Sequence, residues 1–374
     1  MPRIPLVARA LFLGVVLLTL GFVIGLGFQS RAAQQARSQP ALAPVPMVAP
    51  LVKGLRASPD GRLLAFTGIY HNFGRGGVWV FDSQTARARA TASPAGWQDY
   101  VAGWSSDGTS LLLEREKIPR PVARATAGVY AAPVDKTTLA TGKIKDLTPD
   151  LPSNEKIVSG LYAPDGTLII KTRSDPKALY RVEGKRAVPL DRAPITYGQN
   201  RPVKMGASIV YYVVRDPAGK PNKVALFRIA GGRARQISPD WDAGEVSWSY
   251  VSPQGKQMIL ARAQGDDWQW TLYRIEGNSV KELKSASVPG DVITVYWSPD
   301  EKRVLGAAGE KLWLIETPSL QTTQLGARAN WNADDATWID SQSVAVAAGG
   351  ELWRVQVPGG AATKLWRFPV QYWK

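Results

Sequence analysis

The stretch A-S-P-D-G-R-L-L-A-F, residues 57–66, decides how the rest of the chain is read. Pro, Asp and Gly in succession make a tight turn, with Asp-Gly supplying the positive-φ positions, and the apolar run behind it is a strand. The same pattern returns as S-S-D-G-T-S-L-L-L at 105–113, A-P-D-G-T-L-I-I at 163–170, S-P-Q-G-K-Q-M-I-L at 252–260 and S-P-D-E-K-R-V-L at 298–305. Weaker copies at Met205-Gly206-Ala207 and Ile339-Asp340-Ser341 bring the total to seven.

Two further marks follow each turn in fixed order. The first is a strand with an aromatic or apolar centre: V-W-V-F-D at 78–82, V-Y-A-A-P at 129–133, L-Y-R-V-E-G at 179–184 and L-F-R-I-A-G at 226–231, then L-Y-R-I-E-G at 272–277, L-W-L-I-E at 312–316 and L-W-R-V-Q at 352–356. Alternation sends its apolar residues to both faces, as expected when sheets stack on each side. The second is a short strand ending in Leu or Ile, such as I-K-D-L at 144–147, V-K-E-L at 280–283 and A-T-K-L at 362–365. An apolar strand such as V-A-G-W at 101–104 precedes each turn. No amphipathic helix interrupts the series. Four strands per unit in seven units of about 45 residues across 52–368 predict an all-β, seven-bladed β-propeller, in which the quoted turn joins the first two antiparallel strands of every blade.

On these residues the chain resembles the WD40-like propeller repeats of the TolB family. The likeness is carried by A-S-P-D-G at 57–61, G-W-S-S-D-G at 103–108, Y-W-S-P-D at 296–300 and the later L-Y-R-I strand. It covers essentially all of 52–368, and its motifs specify blade structure rather than an activity. The resemblance implies a six-bladed ring as the alternative count, and by analogy a role in a trans-envelope complex. The family's propeller follows a separate α/β domain, whereas here it follows an apolar segment. Seven-bladed propellers that precede prolyl-oligopeptidase-type hydrolases are also similar, but no hydrolase domain follows these repeats.

That segment, ALFLGVVLLTLGFVIGLGF at 10–28, runs 19 residues without a charge. At about 1.5 Å per residue it matches the hydrocarbon thickness of a bilayer. Gln29, Ser30 and Arg31 follow it where a cleaved signal peptide would place small residues, so a transmembrane signal-anchor helix is expected, with a secreted soluble periplasmic form as the alternative. Arg3 and Arg9 give residues 1–9 a slight bias to the cytoplasm, which puts the propeller on the periplasmic or extracellular side of the inner membrane. Residues 29–51, with Pro at 40, 44, 46 and 50, read as a stiff tether to the domain at 52–374.

The 374 residues include no Cys and one His, and carry a net charge of +15. The missing Cys excludes disulfides, thiolate metal sites, a Cys nucleophile and a lipidated N-terminal Cys. His71 lies in a Gly-rich loop with no G-x-S-x-G elbow, so neither a Ser-His-Asp arrangement nor zinc is supported. No phosphate-cradling Gly-rich motif is present, and the expectation is a non-enzymatic protein without a cofactor. A structural calcium ion needs only oxygen ligands, and its candidates are Asp240, Asp242 and Glu245, the pair Asp266-Asp267 and the pair Asp334-Asp335. The positive charge favours acidic protein faces, lipid headgroups, wall glycan or another anionic polymer, with nucleic acid the least favoured.

Propellers present partners with the loops between blades and between second and third strands. The inter-blade loops here repeat an aromatic beside Asp or Asn, which nominates Trp97, Tyr197, Trp241 and Trp331 either as a ring around the channel mouth or as packing under those loops. The second-to-third strand loops add His71, Phe73 and Arg75, then Lys117, Arg120 and Arg124, then Arg215, Lys220 and Lys223, and finally Trp268 and Trp270. The primary expectation is contact with envelope proteins through this face. The alternatives are binding of an anionic polymer by its basic loops and, behind that, a hydrolase or lyase in the channel. Neither end of the repeats supplies an obvious exchanged strand, so the ring is expected to close by bracing from residues 40–50 or from F-P-V-Q-Y-W-K at 368–374.

Overall fold

The computed structural model describes residues 51–69, 76–118, 128–152, 155–163, 166–172, 179–191, 203–205, 209–215, 223–230, 233–242, 246–264, 267–288, 294–308, 311–326, 331 and 333–368. The expected anchor at 10–28 and tether lie outside these residues. Among those described, no helix is long and apolar enough to cross a membrane.

Seven antiparallel sheets follow one another along the chain: blade 1 at 51–92, blade 2 at 97–146, blade 3 at 157–191, blade 4 at 203–242, blade 5 at 246–288, blade 6 at 294–324 and blade 7 at 333–367. Each is built from four consecutive strands in simple order, with a two-residue strand, Trp241–Asp242, added to blade 4. In blade 1 they are Leu51–Ala57, Leu63–Ile69, Gly76–Asp82 and Arg87–Ala92. First strands touch at the junctions of blades 7 and 1, 1 and 2, 2 and 3, and 6 and 7, which makes the first strand of a blade the innermost and the fourth the outer edge. The expected seven blades, with each recurrent turn between first and second strands, are what the chain forms.

Second strands are buried on both faces. Leu63, Leu64, Ala65, Phe66 and Thr67 have no exposed surface, and all of Ser343–Ala348 is buried. A blade cannot cover both of its own faces, so each apolar side chain is satisfied by a neighbouring blade. Leu63, Ala65, Val78 and Val80 of blade 1 share one cluster with Val101, Leu111 and Leu113 of blade 2. Equivalent clusters join blades 2 and 3, 4 and 5, 5 and 6, and 6 and 7.

The recurrent turn corrects one sequence expectation. Gly61, Gly108 and Gly255 take positive φ while Asp60, Asp107 and Gln254 before them do not, so this is a type I turn followed by a left-handed residue rather than a primed turn, and Gly166 is left-handed as well. Asp60 has a different task. It accepts the Ser58 hydroxyl and the Arg62 N–H (3.2 Å), while Ser58 Oγ accepts the Leu63 N–H at 2.9 Å. Ser105 with Asp107 and Ser298 with Asp300 repeat the arrangement. Blade 6 writes Glu where blades 1, 2, 3 and 5 write Gly, and Glu301 occupies the left-handed region at φ 58°. Gly61 is fixed by a second demand, since a Cβ there would lie 2.2 Å from the Ile339 carbonyl oxygen of blade 7.

Among the described residues, no strand is exchanged between blades 1 and 7. Val52, Leu55, Leu64, Phe66 and Phe81 of blade 1 pack directly on Ile339, Ala345, Ala347, Leu352 and Phe368 at blade 7. Aromatic rings complete the seam: Phe368 lies 5.2 Å from Phe66 and 4.7 Å from Trp366, and Trp366 lies 5.2 Å from Trp79. The bracing expected of the C-terminal tail is thus provided by Phe368, which is 3% exposed. Residues 40–50 and 369–374 lie outside the described part.

Candidate functional site

Polar groups on the first and second strands bridge neighbouring blades. Thr67 Oγ1 of blade 1 accepts the Val101 N–H of blade 2 at 2.9 Å. Glu114 Oε1 of blade 2 accepts the Gly160 N–H of blade 3 at 3.0 Å. Asp335 of blade 7 accepts the Leu55 N–H of blade 1 at 2.9 Å through one oxygen. Its other oxygen accepts the Tyr296 hydroxyl of blade 6 and the Ala336 N–H. Several of these amides lie at irregularities of the inner strand, where the ladder within the blade leaves an N–H for a neighbour to satisfy.

Tyr296 shows the electrostatic consequence. Burial, reinforced by the adjacent Asp335 carboxylate, pushes its hydroxyl well above the ordinary phenol range. It therefore remains a proton donor and a latch between blades 6 and 7. Two indoles make the corresponding ties to main chain, Trp104 Nε1 donating to the Arg56 carbonyl at 3.0 Å and Trp338 Nε1 to the Tyr296 carbonyl at 2.8 Å.

A second polar centre lies at the loop end of blade 2. Asp99 is 2% exposed and takes a two-pronged pair from Arg115, at 2.6 Å from Nε and 3.0 Å from Nη2. The guanidinium stands 4.3 Å from the Tyr130 ring centroid, a cation–π contact. Gln98 is equally buried and donates to the Asp99 carbonyl at 2.9 Å. Half-buried Trp97 begins this strand, paired in register with exposed Lys117.

The sequence candidates separate accordingly. Trp241 is buried and packs 5.5 Å from Tyr273, joining blades 4 and 5. Trp331 is buried against Trp353, 6.2 Å away, in the cluster of blades 6 and 7. Both fill the packing role weighed for them. Trp268 is partly buried on the cluster of blades 5 and 6, and Trp270 is enclosed by it. Lys223 bonds Asp242 at 2.6 Å. His71, Phe73, Arg75, Arg120, Arg124, Tyr197 and Lys220 lie outside the described residues.

Of the calcium candidates, Asp240 accepts the Gln236 amide at 2.8 Å, Asp242 holds Lys223, and Asp335 is engaged as above. Glu245 and Asp266 lie outside the described residues. Among the described residues no three or more His, Asp or Glu side chains gather as a metal site. The Asp99–Arg115 and Tyr296–Asp335 pairs escaped the sequence reading. Their one local signal is a charge inside an apolar strand, as in S-L-L-L-E-R-E-K at 110–117 and A-D-D-A-T-W-I-D at 333–340.

No family model matches the chain, and no curated protein does. Solved structures do. An oligogalacturonate lyase from Vibrio parahaemolyticus is similar at a TM-score of 0.57 and 13% identity, over 87% of this chain and 91% of that one. KlAtg21, solved with the coiled-coil of AgAtg16, is similar at a TM-score of 0.55 and 11% identity, over 87% and 98%. A putative TolB from Agrobacterium tumefaciens gives a TM-score of 0.43 and 15% identity over 79% and 91%, too loose a likeness to carry an argument. At such identities the shared feature is the propeller fold. That fold hosts both an enzyme and a partner-binding protein.

Proposed function

We propose that this chain is a membrane-anchored, extracytoplasmic β-propeller that works without catalysis as a protein–protein interaction platform in a cell-envelope complex. The observation that carries this reading is how the inner-strand carboxylates are used. Asp99 is tied to Arg115, and Asp335 to Leu55, Tyr296 and Ala336. Asp335 ties blade 7 to blades 1 and 6, Asp99 is committed to an ion pair within blade 2, and a general acid or base needs a group that is not committed to such bonds. The end of the ring where Trp97 and Lys117 lie is then free to serve as a contact face. Partner contact is assigned to that end, through Trp97, Trp268, Tyr197, His71, Phe73, Arg75, Arg120, Arg124, Lys220 and Lys223. Aromatic and Arg anchors are the residue types that dominate interfaces.

Binding of an anionic polymer by the same loops is the second reading, favoured by the net charge of +15. The two part company in a crosslink-and-pulldown from native membranes, with tagged full-length protein beside a W97A/R120Q/R124Q variant that keeps its melting temperature. A defined protein captured by the first and lost from the second is expected. Salt-sensitive co-purification of glycan or nucleic acid, with no protein, would transfer the assignment to polymer binding.

A further inference from the structure

The positive charge of this propeller is distributed by radius. Its seven innermost strands carry three Lys and Arg against four Asp and Glu, whereas the seven outermost carry ten against three. Within blades 1 to 3 the outer edge presents Arg87, Arg89, Lys143, Lys145 and Arg186, all exposed and none in an ion pair with a described acid. Asp135 is the acid that feels Arg89, while Asp146 is engaged by Lys185. These edges are joined by contact. Arg89 reaches the Thr138 carbonyl and Thr91 bonds Thr141 across blades 1 and 2, while Lys185 reaches the Thr148 carbonyl and the main chain of Arg186 pairs with that of Asp150, in the segment between blades 2 and 3. The fourth strand of blade 6, Gln321–Gln324, has no charge at all.

We infer that the outer edge of blades 1–3 lies on an anionic lipid headgroup surface. The inference rests on the reading of residues 10–28 as a membrane anchor. Given that anchor, residues 29–50 form a tether of 22 residues ending at Leu51, the start of blade 1. In extended form it spans about 70 Å at about 3.1 Å per residue. Register places Leu51 at the loop end of blade 1 and Arg87 at the opposite end, separated by a seven-residue strand of about 23 Å. The tether is long enough for the propeller to lie on its side with this edge on the bilayer. Juxtamembrane cations are drawn to anionic leaflets within about a Debye length.

Charged edge strands also prevent sheets from pairing edge to edge, and the test separates that role from lipid contact. The chain has no Cys, so Thr137→Cys beside the patch and, separately, Gln321→Cys on blade 6 each give one labelling site. Full-length labelled protein is reconstituted in vesicles of phosphatidylcholine alone or with phosphatidylglycerol, and energy transfer to a headgroup-linked acceptor is read. Transfer from position 137 is expected to rise with phosphatidylglycerol, and to lose that rise in high salt and in R87Q/R89Q/K143Q/K145Q/R186Q. Transfer from position 321 is expected not to rise. Equal transfer from 137 in both vesicles, or a rise that persists in the charge variant while that variant self-associates, overturns the inference. Flotation with phosphatidylcholine vesicles reports on the anchor separately: without flotation the anchor reading fails, and with flotation but no lipid dependence only the edge assignment fails.

Discussion

Among the described residues blades 1 and 7 share no strand and meet through side-chain packing, and Phe368→Ala tests this closure at one residue. Phe368 is 3% exposed and contacts Phe66, Trp79 and Trp366 with centroids at 5.2, 6.1 and 4.7 Å. Truncating a buried Phe costs about 3–5 kcal/mol through lost transfer, lost ring contacts and a residual cavity, and the three ring contacts here place this site at the upper end. Partial collapse of Trp366 into the space offsets some of this, leaving about 4 kcal/mol. For a domain of this size each kcal/mol shifts Tm by roughly 2 °C, so a fall of about 8 °C is expected. Phe368→Leu, which keeps most of the volume, is expected to lose about a quarter of that. Thermal unfolding followed by tryptophan fluorescence and circular dichroism provides the assay, with Leu112→Ala between blades 2 and 3 as the reference for a full core loss. A shift under about 2 °C for Phe368→Ala, beside the full shift for Leu112→Ala, refutes closure by this cluster.

Other perturbations probe single links. Gly61→Ala is expected to cost about 3 kcal/mol, from positive φ and the clash with the Ile339 carbonyl, whereas Gly184→Ala, also at positive φ but with nothing near its Cβ, costs about 1 kcal/mol in denaturant midpoints. Arg115→Ala leaves the Asp99 carboxylate buried and unpaired, and is expected to lose about 3–5 kcal/mol. Asp99→Asn with Arg115→Met should recover much of that loss, and a double variant as unstable as the single would refute the pairing argument. Asp60 and Asp107 are held down to about 2, above all by the hydroxyls of Ser58 and Ser105. Since these folded values lie below the unfolded one near 3.9, their contribution is present above about pH 4 and lost as pH falls through about 2. An acid unfolding curve that D60N/D107N leaves equally steep would count against this.

The blades were legible in the chain because each repeats local chemistry. Ser58, Asp60 and Gly61 build a turn within six residues, and strands such as Leu312–Ile315 advertise burial on both faces. What the sequence concealed depends on distance along the chain. Asp335 meets Leu55 across 280 positions and Tyr296 across 39, and nothing local marks which amide a carboxylate will satisfy. The turn type was misread for a related reason. Asp-Gly is compatible with two geometries, and the Ser58 hydroxyl, bonded to Asp60 and Leu63, favours the type I form. Trp241 and Trp331 resemble Trp97 in their loop signature, yet they are buried because a neighbouring blade offers Tyr273 or Trp353 to each. A partner-binding face is legible only as composition, since aromatic and basic loops look alike whether they bind or are merely solvated.

The central claim is that the loop end of the ring contacts a protein, and site-specific photocrosslinking in intact cells addresses it most directly. A photoreactive residue at Lys117, exposed at that end of blade 2, is compared with one at Gln321 on the uncharged outer strand of blade 6. We expect one defined protein adduct from position 117 and none from position 321. No adduct at 117, or the same adducts from both positions, would leave the platform reading without its binding face.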